Sequence, residues 1–209
     1  MDENIESLFK ARMTIFEMLS DRGYTFEKYE MDNNIDQFYF VYKNLTNMFG
    51  LTIQAYKSNG NIILIFFPLE MKLRVNSIRS MLDKTKYVGA KHIIIVYPGV
   101  VTTFTKQHLN TYYNTALRVE QFCVQALQFN VTKHRLVPPH SVLSKEEQQK
   151  ICKELKVVPA QFSRIYTSDP VAQYYGIKAG QLMKIVRSSP EGFKYDTYRY
   201  CIRGQIGKK

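Results

Sequence analysis

The chain has 209 residues, nearly half of them hydrophobic, with few glycines and prolines and a formal net charge of +11. This composition excludes a collagen-like or wholly disordered chain, and no apolar run reaches the roughly 18 to 20 residues that a membrane-spanning helix needs. The acidic start also lacks the basic-then-apolar order of a secretory signal, so we expect a soluble intracellular protein with no membrane partner.

The first sixty or so residues predict a helix followed by a β-hairpin. Apolar side chains recur at helical spacing over residues 5–19, and Gly23 fits as the terminator of that helix. Residues 36–57 are rich in aromatic and β-branched side chains, which favours a strand. Its aromatic residues of one parity are Phe38, Phe40 and Tyr42. Asn59-Gly60 then separates this strand from the apolar run at 61–67, which predicts a hairpin turn.

The next segment predicts alternating helices and strands. A helix is expected over about 71–84, followed by a buried strand over 92–97 that ends at Pro98-Gly99. A second helix over about 104–117 and a strand over 118–128 follow. The apolar face of the first of these helices would consist of Met71, Val75, Ile78 and Leu82. Helices mixed with apolar strands over this length indicate a three-layer α/β domain.

Two helix starts are evident in the last third. Ser144 and Glu147 form a capping box for a helix that runs to about residue 155. Asp169 stands before Pro170, a pair that favours the start of a second, shorter helix. Two strands follow, over 181–187 and 194–202. These elements predict a small α+β unit.

A domain boundary is expected just before Pro138-Pro139, because two prolines continue neither a helix nor a central strand. The predicted domains are therefore 1–132 and 133–209. Residues 1–130 carry 14 Lys and Arg against 12 Asp and Glu, net +2, whereas residues 131–209 carry 15 against 6, net +9. Such an excess is typical of a module that meets nucleic acid or an acidic protein surface, although it could serve solubility alone.

The cysteines argue against a metal site. Cys123, Cys152 and Cys201 are odd in number and far apart, which fits neither a disulfide framework nor a four-ligand zinc site. No phosphate-binding glycine loop, dinucleotide-binding motif or nucleophile elbow is present in the sequence. We therefore expect no metal, no cofactor and no small-molecule substrate.

The last third also carries an ordered series of short motifs. They are Leu136-Val137-Pro138 with His140, Leu143-Ser144 with Glu146-Glu147, Arg164-Ile165, Ser168-Asp169-Pro170-Val171-Ala172 with Tyr174-Tyr175-Gly176, Gly180-Gln181, Lys184-Ile185-Val186-Arg187 and Tyr198-Arg199. In order and spacing they resemble the shared fifth-largest subunit of eukaryotic nuclear RNA polymerases, whose archaeal counterpart consists of this module alone. Residues 8–11 and 17–24 are similar to the first helix of the eukaryotic subunit. An N-terminal domain favours the eukaryotic type.

The resemblance implies a non-catalytic subunit of a multisubunit DNA-dependent RNA polymerase. Its N-terminal domain would be a jaw, built like a restriction endonuclease without that chemistry, that lies beside downstream double-stranded DNA. Its C-terminal module would dock on the largest subunit, among other polymerase subunits. A jaw that lets DNA slide should touch phosphates, because phosphate contacts carry no sequence information. We expect Thr102, Thr103 and Lys106 to make them.

For the subunit interface we expect mainly Tyr and Arg residues of the C-terminal module, because these residue types anchor protein interfaces. The expected set is Arg164, Asp169, Pro170, Tyr174, Tyr175, Arg187, Tyr198 and Arg199. Asp169 and Pro170 could serve only as helix cap and helix start, and one or two of the tyrosines could belong to the core.

Two other functions remain open from the sequence. Glu70-Met71-Lys72 matches half of the metal-binding signature of a restriction-like nuclease, in which Glu70 would hold a cation and Lys72 would polarise the water. For the other half, Asp32 and Asp36 are only loosely placed. A free RNA-binding protein would use a stacking platform made of Tyr195, Tyr198, Arg199 and Tyr200, although strict alternation over 194–202 would bury half of them.

Richness in Ile, Asn, Lys and Tyr indicates a fast-diverging lineage, and we favour a large DNA virus that carries its own transcription machinery. The protein would then reside in the host cytoplasm and the virion. A cellular polymerase would place it in the nucleus.

Overall fold

The computed structural model describes residues 3–27, 34–43, 49–102, 105 and 117–204. It divides into two compact units, Met1–Phe129 and Asn130–Lys209, called the first and second unit below. Both units combine helices with β-sheet, so the fold is of the mixed α/β kind. Within the described ranges, no helix is long and apolar enough to cross a membrane.

The first unit is built on one mixed sheet. Its described helices are α1 (Glu3–Asp21), α2 (Ile35–Lys43) and α3 (Val75–Val88). Its described strands are β1 (Tyr24–Thr25), β2 (Ile53–Lys57), β3 (Ile62–Phe66), β4 (Lys72–Leu73), β5 (His92–Tyr97), β6 (Val100–Val101) and β7 (Arg118–Cys123). The sheet has the order β1-β2-β3-β5-β7, with β3, β5 and β7 parallel, while β4 and β6 form a separate pair.

The turn at Asn59-Gly60 joins β2 to β3 as an antiparallel hairpin, which confirms that prediction. Gly60 has a φ of 78°, a left-handed conformation that a side chain would oppose. Its N–H donates to the carbonyl of Lys57 at 2.8 Å. The side-chain oxygen of Asn59 accepts from the N–H of Asn61 at 3.1 Å, which also stabilises the turn.

The central strands of this sheet are buried on both faces. One face packs against α3 through Leu64, Phe66, Ile93, Ile95, Ile78, Met81 and Leu82. The opposite parity of β3 and β5 is buried as well, at Ile63, Ile65, Ile94 and Val96. A strand covered on both faces needs apolar side chains at every position, which is why 93–96 is a continuous apolar run.

The prediction of a strand beginning at residue 36 is wrong, because residues 35–43 form α2. Phe38 is fully buried, with its ring 5.6 Å from that of Phe9, whereas Phe40 is 71% exposed. A strand would place Phe38 and Phe40 on the same face, but a helix turns them about 200° apart. The prediction that Met71 lies on the apolar face of the next helix is also wrong. It is 65% exposed and precedes α3, which begins at Val75.

The last strand of the first unit, β7, is shorter than predicted. β7 ends at Cys123, and Val124–Leu127 form a 3₁₀ turn instead of continuing the strand. The helix predicted over 104–117 lies outside the described residues except at Thr105 and Leu117.

The second unit contains two α-helices and one sheet in its described part. The helices are α4 (Lys145–Glu154) and α5 (Pro170–Tyr175). The strands are β8 (His140–Val142), β9 (Ser163–Tyr166), β10 (Leu182–Ser188) and β11 (Lys194–Ile202). They lie in the order β8-β10-β11-β9, with β9 parallel to β11. Both helices, β10 and β11 confirm the predictions, whereas β8 and β9 were not predicted.

Both predicted helix starts are present. The hydroxyl of Ser144 accepts from the N–H of Glu147 at 3.2 Å, and the Glu147 carboxylate accepts from the N–H of Ser144 at 2.8 Å. The Asp169 carboxylate accepts from the N–H groups of Val171 and Ala172 at 2.9 and 3.3 Å. Helix α5 packs on one face of the sheet in a core that consists of Ile165, Ala172, Ile177, Met183, Ile185 and Cys201.

Candidate functional site

The sheet of the second unit carries different side chains on its two faces. Side chains alternate along a strand, so the strand register decides which residues share a face. Arg187 pairs with Tyr195, Met183 with Arg199, and Ile185 with His140. On the face that α5 covers, the part beyond the apolar core therefore includes His140, Arg187, Tyr195 and Arg199, with Phe193 just before β11 on the same parity. We call these five residues the arginine face.

The arginine face carries two arginines and a histidine. Arg187 and Arg199 are half-buried, and the side chain of neither makes an ion pair or hydrogen bond with another residue in the described part of the chain. Nδ1 of His140 lies 2.5 Å from the carbonyl oxygen of Pro138. Burial lowers the pKa of His140; the Pro138 carbonyl and Asp169 oppose that shift, whereas the charges of Arg199 and Arg187 add to it. The charges of both guanidinium groups thus act on the imidazole of His140.

The predicted interface residues at α5 have unequal access to a partner. Asp169 caps the helix and the exposed Pro170 begins it. Tyr174 is 3% exposed, and its hydroxyl accepts a hydrogen bond from the Asn130 amide at 2.8 Å. Tyr175 is half-buried against the apolar core of the unit. Of the two tyrosines, only Tyr175 keeps surface that a partner could touch.

The opposite face of the sheet carries Arg164, Tyr166, Tyr198 and Tyr200, which we call the tyrosine face. Arg164 pairs with Tyr200 in the parallel register of β9 and β11. Tyr166 is 53% exposed, and the ring of Tyr198 lies 5.9 Å from that of Phe162 in an edge-on arrangement. The four residues of the RNA-binding alternative are split by this geometry. Tyr195 and Arg199 lie on the arginine face and Tyr198 and Tyr200 on the other, so they form no common platform.

In the first unit, Thr102 is the described member of the three residues expected to contact DNA, and it is exposed. Its hydroxyl donates to the hydroxyl of Thr105 at 2.8 Å and accepts from the Thr105 N–H at 3.3 Å. The buried Thr105 hydroxyl in turn donates to the carbonyl of Leu73 at 3.1 Å. Thr103 and Lys106 lie outside the described residues. Thr102 therefore stands on a loop that is hydrogen-bonded to β4.

The start of this loop depends on Gly99. A Cβ atom at that position would lie 2.2 Å from the carbonyl oxygen of Met71. Only glycine permits so close an approach of two backbone segments. The approach brings β6 into register with β4, where Lys72 pairs with Val100. On the other side, the side-chain amide of Gln125 donates to the carbonyl of Pro98 at 3.2 Å.

The nuclease alternative gains no support from the geometry around Glu70. Its carboxylate accepts from the hydroxyl of Ser77 at 2.9 Å, in the first turn of α3. No group of three His, Cys, Asp or Glu side chains among the described residues could hold a metal ion. Asp36 lies in α2, and Asp32 is outside the described residues. Glu70 therefore acts as a partner for the start of a helix.

A buried charge cluster in the first unit was not predicted from the sequence. The Glu120 carboxylate lies 2.8 Å from Arg22, from Arg118 and from Nε2 of His92. Nδ1 of His92 is 3.3 Å from the hydroxyl of Tyr24. The side chains of Arg22 and Glu120 are 6% and 14% exposed. This Glu120 cluster joins the end of α1 to β1, β5 and β7. One signal in the sequence was an acidic residue, Glu120, within a predicted strand. Its partner Arg22 is too distant in the chain to be predicted from the sequence.

The cluster controls the ionisation of its own members. Burial alone would raise the pKa of Glu120, but the charge of Arg22, the hydrogen bond from His92 and the charge of Arg118 hold that pKa far below its ordinary value. Burial lowers the pKa of His92, although its hydrogen bond to Glu120 opposes the shift. Glu120 is therefore ionised throughout the physiological range.

Comparison with known proteins identifies both units. The family model for RNA polymerase Rpb5, N-terminal domain, matches residues 2–85, and that for RNA polymerase Rpb5, C-terminal domain, matches residues 129–201. The second match begins at the residue where the first compact unit ends.

Relatives match along nearly the whole chain. The subunit rpabc1 of DNA-directed RNA polymerases I, II, and III from Dictyostelium discoideum is 36% identical over 203 residues, which is 96% of this chain and 100% of the relative. The DNA-directed RNA polymerase subunit 5-like protein 1 of Arabidopsis thaliana is 34% identical, over 97% of this chain and 99% of the relative. Subunit RPABC1 of Caenorhabditis elegans is 28% identical, with 96% and 99% covered. The chain therefore belongs to the Rpb5 family of RNA polymerase subunits.

Proposed function

We propose that the protein is a non-catalytic subunit of a multisubunit DNA-dependent RNA polymerase. The observation that carries this conclusion is a match to a polymerase subunit at 36% identity over 96% of this chain and 100% of the relative. Both the N-terminal and the C-terminal family domains are present. The protein contributes structure to an enzyme complex and has no active site of its own.

In this proposal, residues 133–209 form the assembly domain, which docks on the largest subunit and meets other subunits. The net charge of +9 over 131–209 and the Tyr and Arg side chains on both sheet faces support this role. The proposed contact residues are Arg164, Asp169, Pro170, Tyr175, Arg187, Tyr198 and Arg199. Tyr174 also belongs to the predicted set, although its 3% exposure leaves it little surface for direct contact.

Residues 1–132 form the jaw, with the three-layer arrangement of a restriction endonuclease, beside downstream double-stranded DNA. Thr102, Thr103 and Lys106 contact phosphates there. The exposure of Thr102 and the hydrogen bonds that hold its loop to β4 support this role, because a phosphate contact on sliding DNA needs a loop of fixed position and no base recognition.

The named relatives bear on location. Those from Dictyostelium and Caenorhabditis are subunits of RNA polymerases I, II and III, which are nuclear enzymes of cellular eukaryotes. This supports residence in the nucleus with a cellular polymerase. The host cytoplasm and virion expected for a viral enzyme gain no support from the comparisons.

The test of the main proposal is purification of the affinity-tagged full-length chain from its source, followed by mass spectrometry of the bound proteins. We expect the two largest polymerase subunits in stoichiometric amount, and DNA-templated RNA synthesis by the eluate. Recovery of the chain without polymerase subunits would overturn the proposal. So would magnesium-dependent DNA cleavage by the free chain that disappears with Glu70→Ala.

The jaw role has its own test. With Thr102→p-benzoylphenylalanine in the assembled polymerase, irradiation of a stalled elongation complex should cross-link the chain to DNA labelled downstream of the active centre. The same complex with its label upstream is the matched control and should remain uncross-linked. Equal cross-linking of the two labels, or none to the downstream duplex, contradicts this placement.

A further inference from the structure

We propose that the arginine face binds an acidic, extended segment of a partner polymerase subunit. Two carboxylates of that segment, about four residues apart, pair with Arg187 and Arg199, and an apolar side chain between or beside them packs on Phe193 and Tyr195. The inference rests on the proposed function, because it defines the chemistry of the partner on which the second unit docks.

The two arginines require acids from outside the second unit. A guanidinium presents five N–H donors in a planar fork that matches a carboxylate, and a partly buried cation without such a partner is unfavourable. Arg187 and Arg199 are half-buried on the same sheet face, and their side chains have no ion-pair or hydrogen-bond partner within the described ranges. The isolated chain thus holds two prepared carboxylate sites.

The acids of the second unit are largely engaged elsewhere. Residues 131–209 contain six acidic side chains. Four of them have assigned partners: Glu147 and Asp169 cap helices, Asp196 lies 2.7 Å from Lys184, and Glu154 lies 3.9 Å from Lys150. The Lys184–Asp196 pair lies on the tyrosine face, so it does not reach Arg187 or Arg199. Asp169 also acts on His140. Within the described ranges, however, no acidic side chain forms an ion pair with Arg187 or Arg199, so this face keeps its positive charge.

Strand register fixes the spacing of the two sites. Arg199 lies opposite Met183, and Arg187 follows Met183 by four residues on β10. At about 3.3 Å per residue the two arginine Cα atoms are roughly 13 to 14 Å apart. Four residues of an extended peptide cover the same distance. Carboxylates at positions i and i+4 of an extended segment can therefore pair with both arginines at once.

The exposed aromatic residues favour a protein segment over nucleic acid. Phe193 is 70% exposed and Tyr195 is 49% exposed, and Tyr195 is the cross-strand neighbour of Arg187. Aromatic side chains beside arginines are the composition of energetic hot spots at protein interfaces.

The decisive variant is full-length R187E/R199E, expressed with an affinity tag in the source cells. We expect recovery of the largest polymerase subunits to fall at least tenfold relative to wild type. The matched control is K145E/K153E, which makes the same charge change at two exposed positions of α4. It should lose less than twofold. R187K/R199K keeps the charge but not the planar guanidinium, so its recovery of polymerase should lie between those of wild type and R187E/R199E.

Folding is checked by thermal unfolding of each purified variant. If R187E/R199E melts more than about 5 °C below wild type, R187Q/R199Q takes its place with the same expected loss of binding. Wild-type chain without polymerase subunits would overturn the proposed function itself. Wild type and the glutamate or glutamine variant recovering equal amounts of polymerase would overturn this inference alone.

The occupant is identified by photocross-linking from Phe193→p-benzoylphenylalanine in the assembled polymerase. The cross-linked peptide should come from a polymerase subunit and contain Asp or Glu residues about four positions apart. A polymerase peptide without acidic residues contradicts the proposal. Nucleic acid as the occupant is tested with a 25-nucleotide labelled strand and its duplex: if R187E/R199E loses their retention but keeps the polymerase, the proposal is wrong.

Discussion

Replacement of Glu120 by Gln removes the carboxylate that Arg22, His92 and Arg118 share in the first unit. All three contacts are 2.8 Å in length, and that to Arg22 joins residues 98 positions apart in the chain. Gln has the same shape as Glu and keeps one acceptor oxygen, so the substitution leaves little cavity and tests the charge. What remains is the buried guanidinium of Arg22 without the Glu120 carboxylate.

The exposure of Arg22 and Arg118 determines how much unfolding free energy the substitution should remove. Removing one member of a buried ion pair costs about 3–5 kcal/mol, because the other charge stays desolvated. Arg22 is 6% exposed, so water cannot replace the carboxylate there, whereas Arg118 at 32% can turn toward solvent. Since Gln still accepts one hydrogen bond, we expect Glu120→Gln to lower the free energy of unfolding by about 3 kcal/mol, at the low end of that range.

The assay is urea unfolding of the full chain at pH 7, followed by far-ultraviolet circular dichroism. With a slope of about 2 kcal/mol per molar urea, the midpoint of the first unit should fall by roughly 1.5 M. The control is Glu6→Gln, which breaks the exposed pair with Lys10, whose side chains are about half exposed. Its midpoint should not move measurably. Equal shifts for the two variants would refute the claim that the Glu120 cluster stabilises the fold.

The pH dependence of the same comparison gives an independent result. The folded pKa of Glu120 lies far below its ordinary value of 4.5, so on acidification the unfolded chain takes up this proton first. The stabilisation is therefore complete above about pH 4.5 and is lost as the pH falls toward the folded pKa. The deficit of Glu120→Gln relative to wild type should shrink between pH 4.5 and pH 3. A constant deficit over that range would contradict the assigned shift.

Three further variants test other local features. Burial lowers the folded pKa of His92 from 6.5, so wild type should lose stability as the pH falls below 6.5, and His92→Asn should melt with a flatter dependence between pH 7 and pH 5. Gly99→Ala places a Cβ atom 2.2 Å from the Met71 carbonyl oxygen and should lower the free energy of unfolding by about 1–3 kcal/mol, with a lower melting temperature as the readout. Ser144→Ala removes the acceptor for the Glu147 N–H and should cost about 1 kcal/mol in urea unfolding.

Features set by near neighbours in the chain were predictable from the sequence. The capping box at Ser144, the start of α5 at Asp169 and the turn at Asn59-Gly60 each involve partners within three residues. Each has a residue type whose side chain or backbone favours one local conformation. The structure therefore has these two helix starts and this turn at the positions predicted from the sequence.

Features decided by distant contacts were not predictable in the same way. Helix α2 contains aromatic residues that favour a strand, and the burial of Phe38 beside Phe9 of α1 overrides that preference. The Glu120 cluster depends on Arg22, which is far away in the chain. The short edge strands β8 and β9 have three and four residues, too few for a periodic signal.

The candidate site lies between these two cases. Alternation along β11 already separates Tyr195 and Arg199 from Tyr198 and Tyr200, so the faces of that strand could be read from the sequence. The partners on each face could not, because they depend on the register of β8 and β9 with the central strands. His140 joins Arg187 and Arg199 only once that register is known.

The two units use their charges differently, and this difference can be measured with salt. In the first unit the charges nearly balance, and the Glu120 cluster pairs them inside the fold. In the second unit the net charge is +9 over 131–209, and the side chains of Arg187 and Arg199 have no ion-pair partner in the described part of the chain.

Raising the salt from about 0.1 to 1 M shortens the screening length from about 10 to 3 Å, which weakens exposed charge pairs much more than buried ones. Washing the immobilised chain at 1 M salt should therefore release much of the bound polymerase, while the unfolding midpoint of the first unit stays within about 0.3 M urea of its low-salt value. Polymerase retained in full at 1 M salt would mean that apolar contacts, and not the arginines, hold the second unit to its partner.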